Sequence, residues 1–79
     1  MYFVYVLKSE QRNYIYVGLT NDLERRIKQH QEGKSSTTRS YRPFVLVLTE
    51  KSELRLEARN REKYLKSGSG KEWIKLQIK

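Results

Sequence analysis

Hydrophobic and polar positions alternate from the first residues: Phe3, Tyr5 and Leu7 fall on one side, Tyr2, Val4 and Val6 on the other. Period two in β-branched and aromatic residues predicts a strand. The polar stretch Ser9-Glu10-Gln11-Arg12-Asn13 interrupts the pattern, and Tyr14-Ile15-Tyr16-Val17 resumes it, which predicts an antiparallel hairpin. Gly18 closes the second strand, where a missing Cβ permits a turn or a close backbone approach. Asn21, with Glu24 three residues on, predicts a capped helix to about Glu32, and Gly33 supplies its stop. Lys34 to Arg42 is polar, basic and aperiodic, a surface loop. After Pro43, the run Phe44-Val45-Leu46-Val47-Leu48 is apolar on both faces and predicts the central strand of a sheet covered on both sides. Ser52 with Glu53 opens a second helix, with Leu54, Ala58 and Leu65 on one stripe and an end near Lys66. Ser67-Gly68-Ser69-Gly70 predicts a turn. Ser69 and Glu72 then cap a short last helix containing Trp73, Ile74 and Ile78. The order ββαβαα predicts an α+β fold, an α/β sandwich with a small three-stranded antiparallel sheet flanked by helices.

Length allows one domain over residues 1–79 and no second. The chain has no cysteine, which excludes a disulfide framework, a thiolate zinc site and a Cys nucleophile. No apolar run approaches the roughly 18 residues of a membrane span. The apolar N-terminus lacks a preceding basic region and a small-residue cleavage site, so a cytoplasmic location is expected. Lys and Arg number 17 against 9 Asp and Glu, a net charge of +8. That balance points to a polyanionic partner, because clustered cations release counterions from phosphates; the bland alternative is an ordinary basic surface.

Several polar residues sit badly with a purely structural reading. Leu23, Arg26, Ile27 and His30 share one helix face by their i, i+3, i+4, i+7 spacing. Arg26 and His30 either flank the core with their stems or meet an anion there. Glu62 lies on the shoulder of the second helix's apolar stripe, with Glu57 on the opposite shoulder. It reads as a solvated partner of Lys66 at i+4 or as a ligand for a hard cation such as Mg²⁺. Of six tyrosines, Tyr2, Tyr5, Tyr14 and Tyr16 lie in the hairpin. They are amphipathic core or rim residues, or phenols that relay a proton in a polar cleft. No serine-hydrolase elbow, P-loop or dinucleotide fingerprint is present, and one His cannot build a His-rich metal site.

Taken in order, these residues resemble the GIY-YIG nuclease superfamily, in particular its small stand-alone bacterial members similar to the N-terminal nuclease domain of the DNA-repair excinuclease. Phe3-Val4-Tyr5 stands in place of the Gly-Ile-Tyr motif, and Tyr16-Val17-Gly18 matches Tyr-Ile-Gly. Thr20-Asn21-Asp22-Leu23, Arg26 and His30 follow, then Arg61-Glu62-Lys63-Tyr64-Leu65-Lys66 and a closing Ser-Gly-x-Gly-Lys-Glu-Trp segment. The resemblance covers essentially the whole chain. It implies hydrolysis of a DNA phosphodiester with one divalent metal, Mg²⁺ or Mn²⁺, held by Glu62. In that reading Arg26 stabilises the pentavalent transition state. Tyr5 is the base for the attacking water, with Tyr16 as its hydrogen-bonding partner, and His30 transfers a proton or orients a tyrosine. A phenol ordinarily titrates near pH 10, so the base role requires nearby cations to lower it, with Arg26 the local source.

Phosphate contacts are expected from Arg25, Lys28, Lys34, Arg39, Arg42 and Lys71, which carry no sequence code, so binding is structure-preferring or non-specific. The loop with Thr37, Thr38 and Arg39 is expected to be flexible enough to close on a strand. The partner is DNA, RNA is not excluded by the residues, and a monomer is expected. Leu19 replaces the Lys that the excinuclease domain carries after its second motif, and no Asn follows Glu62. These departures leave weak turnover or a non-catalytic nucleic-acid-binding module as the alternative. A basic protein-interaction domain whose tyrosines are only core is the third reading.

Overall fold

The computed structural model describes residues 1–78, in the order β1 (Tyr2–Ser9), β2 (Ile15–Thr20), α1 (Leu23–Gln31), a 3₁₀ turn (Arg39–Tyr41), β3 (Phe44–Ser52), α2 (Arg55–Lys66) and α3 (Gly68–Gln77). The three strands form one antiparallel sheet in the order β2-β1-β3. This is the α+β, ββαβαα architecture that the hydrophobic pattern predicts.

The central strand is β1, not the predicted β3. Val4, Tyr5, Val6 and Leu7 are four consecutive buried residues, the signature of a strand covered on both faces and paired along both edges. β3 has the apolar run but lies at an edge, where Val45 and Leu46 keep 46% and 39% of their surface exposed. Its register slips between Val6, which faces Leu48, and Leu7, which faces Leu46, leaving Val47 as the extra residue of a bulge. An apolar run cannot report which of its edges will be paired.

Alternation sorts β1 and β2 into two layers. Val4, Val6 and Val17 pack with Ala58 and Leu65 of α2 and Ile74 of α3. Tyr5, Leu7 and Phe44 pack on the other side with Tyr14, Tyr16, Leu23, Ile27 and Tyr41. Arg61 ties the helical layer to β3 through two bonds to Glu50, Nε–H to Oε1 at 2.7 Å and Nη2–H to Oε2 at 3.1 Å. The same guanidinium lies 4.9 Å from the centroid of the Trp73 ring.

Helix ends depart from the predicted caps by one or two residues. Asp22, not Asn21, caps α1, its Oδ1 accepting from the Arg25 N–H at 3.2 Å. The far end of α1 follows expectation. Gly33 has φ +78°, its N–H reaches the His30 carbonyl, and the Lys34 N–H reaches that of Gln29, a Schellman stop. At α2 the cap position belongs to Leu54, which has no side-chain cap and is exposed rather than part of the buried stripe. Ser52 Oγ instead donates to Glu57 Oε1 at 3.1 Å. Ser67, not Ser69, caps α3 by accepting from the Gly70 N–H, so residues predicted as a turn already belong to the helix. Gly18 sits inside β2 rather than at its end.

Candidate active site

Tyr5 points from β1 toward α1 and stands opposite Gly18 of β2. A Cβ at Gly18 would run into the Tyr5 ring and hydroxyl, so a bare backbone is what lets the phenol lie flat across the neighbouring strand. The Tyr5 hydroxyl meets His30 Nε2 at 2.9 Å, and His30 Nδ1 meets Thr38 Oγ1 at 2.9 Å. Tyr5, His30 and Thr38 all have 0% exposure. Tyr16 is half-buried, its ring centroid 4.9 Å from that of His30 and 6.2 Å from that of Tyr5. Arg26, also half-buried, lies beside both phenols and donates from Nη1 to Gln29 Oε1 at 3.0 Å. Helical spacing from one face of α1 and alternation from β1 and β2 thus bring Tyr5, Tyr16, Arg26 and His30 together.

The electrostatics differ from the sequence expectation at Tyr5. Burial pushes its phenol up to about 12 and outweighs the Arg26 guanidinium, which pulls it down. Burial, with Arg26 adding to it, also pushes His30 down to about 4, so the imidazole is neutral at pH 7. A buried neutral ring joined at both nitrogens is a hydrogen-bonding bridge.

Glu62 belongs to the other layer. It is 5% exposed between Ala58 and Leu65, which pack on the opposite face of the sheet. Its Oε1 takes a bond from Arg59 at 2.7 Å and its Oε2 an ion pair from Lys66 at 3.1 Å. Burial pushes the carboxyl up, but the Lys66 ammonium and Arg59 guanidinium prevail and hold it below the usual carboxylate range. The i+4 partnership with Lys66 is therefore present. Among the described residues, no group of three or more His, Cys, Asp or Glu side chains gathers to cage a metal. A single ionised carboxylate still fits Mg²⁺, which takes one or two from protein and fills its octahedron with water and phosphate. Arg59 and Lys66, whose side chains are half-exposed, occupy both oxygens of Glu62.

One end of the sheet links the two layers. A cavity of about 410 Å³ is lined by Tyr2, Leu19, Thr20, Asn21, Arg26 and Arg55. Arg26 comes from α1 and Arg55 from the first turn of α2, two helical turns before Glu62 on the same side of that helix. No carboxylate lines it, so two guanidinium groups share a concave surface suited to an anion. Arg25 lines an adjoining cavity with Thr20, Asn21, Asp22, Arg26 and Gln29.

The other expected phosphate contacts are scattered. Lys28 and Lys34 both pair with Glu32, at 4.0 and 3.5 Å. Arg42 donates from Nε to the Arg39 carbonyl, and its guanidinium lies against Gly33. Lys71 lies with Lys75 at the opposite end of β2, beside Asn13, Tyr14 and Ile15.

Two residues of the site carry no signal in the sequence. Arg55 is one Arg among many on an exposed helix start. Thr38 is expected in a flexible loop, yet it is fully buried against His30 and held by the 3₁₀ turn that follows. Ser9 Oγ reinforces that placement by donating to the Tyr41 carbonyl at 2.6 Å. A short hydroxyl amid Ser, Thr and Arg has no periodicity to announce burial.

Comparisons with known proteins show the family and the fold. Residues 1–75 match the family described as the GIY-YIG catalytic domain. A UPF0213 protein of Clostridium perfringens is 43% identical over 67 residues, 84% of this chain and 71% of that protein. The UPF0213 protein YazA of Bacillus subtilis is 38% identical over 66 residues, covering 82% of this chain and 66% of its own length. A UPF0213 protein of Staphylococcus haemolyticus is 36% identical over 76 residues, 95% of this chain and 92% of its own. The solution NMR structure of the UPF0213 protein BH0048 from Bacillus halodurans superposes with a TM-score of 0.59 at 36% identity, covering 99% of this chain and 87% of that one.

Proposed function

Because this chain belongs to the GIY-YIG catalytic domain family, and is akin to UPF0213 proteins within it, we propose that it is a metal-dependent endonuclease that hydrolyses nucleic-acid phosphodiester bonds without a sequence code. The observation that carries this reading is the cavity shared by Arg26 and Arg55, with the Tyr5–Tyr16–His30 cluster behind one wall and the Glu62 helix on the other side. The strand's backbone enters at that sheet end. Arg26 meets the scissile phosphate and offsets the charge that grows on it. Arg55 holds a neighbouring phosphate.

An ionised tyrosine receives the proton of the attacking water, its phenolate becoming a neutral phenol as the water oxygen bonds to phosphorus. Of the two candidates, half-buried Tyr16 is the one water reaches; Tyr5, the base expected from the sequence, stands behind it with no exposed surface. Arg26 lies beside both, and at Tyr5 its guanidinium pulls toward the ionised form against the larger effect of burial. Glu62 is the carboxylate that would hold the divalent ion, after Arg59 and Lys66 give way. When bound, that ion supplies Lewis-acid neutralisation of the phosphate and its leaving oxygen.

The test is cleavage of supercoiled plasmid and branched DNA with Mg²⁺ or Mn²⁺, run beside an EDTA control and Glu62→Ala. Nicking should need both the metal and Glu62, with the variant slower by at least about 100-fold and its DNA binding equal or raised. Full activity in Glu62→Ala would remove Glu62 from the metal site. Intact, saturable binding without cleavage would favour the non-catalytic binding module.

A further inference from the structure

We propose that Thr38 is a positioning residue that fixes the neutral ring of His30 with its proton on Nε2, so that a chain of hydrogen bonds runs in one direction from Thr38 through His30 to the oxygen of Tyr5. This rests on the reading of the tyrosines as the proton-accepting end of the site.

The three groups form a closed line: Thr38 Oγ1 to Nδ1 at 2.9 Å, and Nε2 to Tyr5 Oη at 2.9 Å, all fully buried. A neutral imidazole has one N–H, and two arrangements satisfy its nitrogens. In the first, Nδ1–H donates to Thr38 and the Tyr5 hydroxyl donates to Nε2. In the second, the Thr38 hydroxyl donates to Nδ1 and Nε2–H donates to Tyr5. Thr38 decides between them. His30 is the partner of its hydroxyl among the described residues, so in the first arrangement the Thr38 proton is buried with no acceptor. In the second the proton left over is that of Tyr5, which has the Tyr16 hydroxyl beside it as an acceptor, whereas Thr38 has only His30 among the described residues.

Direction matters for the chemistry. With Nε2–H pointing at its oxygen, Tyr5 keeps its own proton for the Tyr16 hydroxyl, while Arg26 adds a further donor on that side. Each group then donates toward half-buried Tyr16, so the phenolate that is to take the water's proton has a donor already aimed at it. His30 acts as a fixed donor rather than as a proton acceptor. The opposite arrangement would present a lone pair to Tyr5 and no donor to the developing charge.

The chain has a single histidine, so one set of ring ¹⁵N signals reports the tautomer without assignment of others. The experiment is a long-range ¹H–¹⁵N correlation spectrum of the tag-free, labelled protein at pH 7, for wild type, Thr38→Val and Thr38→Ser, followed by plasmid-nicking kinetics. The wild type should show an unprotonated Nδ1 and a protonated Nε2. Thr38→Val should lose that fixed pattern and lower kcat about tenfold or more with KM for DNA little changed, and Thr38→Ser should restore both. A wild-type ring protonated on Nδ1 overturns the assignment, as does a folded Thr38→Val with unchanged tautomer. If the wild type does not cleave DNA, the nuclease reading fails while the spectra still decide the direction of the bridge.

Discussion

His30 is the residue where burial leaves the clearest mark on solution behaviour. Its ring titrates near 6.5 when unfolded and is pushed down to about 4 in the folded protein by burial and by the nearby Arg26 charge. Between those values the unfolded chain holds the extra proton. The stability that a neutral His30 brings is therefore complete above about pH 6.5 and is lost as the pH falls toward 4. Chemical denaturation across this window should lose up to about 3 kcal/mol from this residue. His30→Gln, which cannot titrate, should flatten that part of the pH profile whatever its own stability. An equal slope in both proteins would show that other groups drive the acid side. The face of α1 that carries His30 is legible from its helical spacing, but the spacing leaves open whether the ring flanks the core or is buried in it. Depth settles that, and depth depends on Thr38 and Tyr5, eight and 25 residues away in sequence.

Elements meet at Gly18, where β2 passes under the Tyr5 ring of β1. Gly18→Ala inserts a methyl where the phenol lies, so either the ring leaves its place or the strands part. Overpacking of this kind costs about 1–3 kcal/mol. The thermal unfolding temperature should drop accordingly, and the contact between Tyr5 and His30 should be broken even in a variant that folds. A Gly18→Ala protein with unaltered His30 ring signals would show that the close approach is not what seats Tyr5. The strands, helices and their order follow from periodicity alone because each is a local choice. The caps slip because Asn21 and Asp22, or Ser67 and Ser69, are chemically equivalent candidates, and only the path of the chain selects one. The bulge after Val6 and the edge position of β3 are products of pairing between distant segments, on which an apolar pentapeptide is silent.

The molecule as a whole carries +8, with none of its helices long and apolar enough to cross a membrane among the described residues. Its guanidinium groups at the β2 end of the sheet are the concentrated part of that charge, while Lys28 and Lys34 are partly spent on Glu32. Binding through phosphates should therefore be salt-sensitive but should engage fewer ions than the count of basic residues suggests. If three to five duplex phosphates are neutralised, affinity falls about 40- to 500-fold between 50 and 200 mM salt. Arg55→Ala should lower the slope of log affinity against log salt by about one unit, whereas Lys71→Ala at the other end of β2 should change it less. Affinity indifferent to salt would remove the phosphate-contact model altogether.

Spacing over a few residues is enough to write the ββαβαα order, the hairpin with its tyrosines, the helix face bearing Arg26 and His30, the Schellman stop at Gly33 and the motif series that marks the family. Each is a local choice that neighbouring residues make among themselves. Assembly of the layers is what puts β1 at the centre, seals Tyr5 while leaving Tyr16 half-open, closes the imidazole bridge with Thr38, and sets Glu62 across the sheet among Arg59 and Lys66. Those outcomes depend on which distant surfaces exclude water from each other, and burial of that kind is a property of the packed layers rather than of any local run of residues.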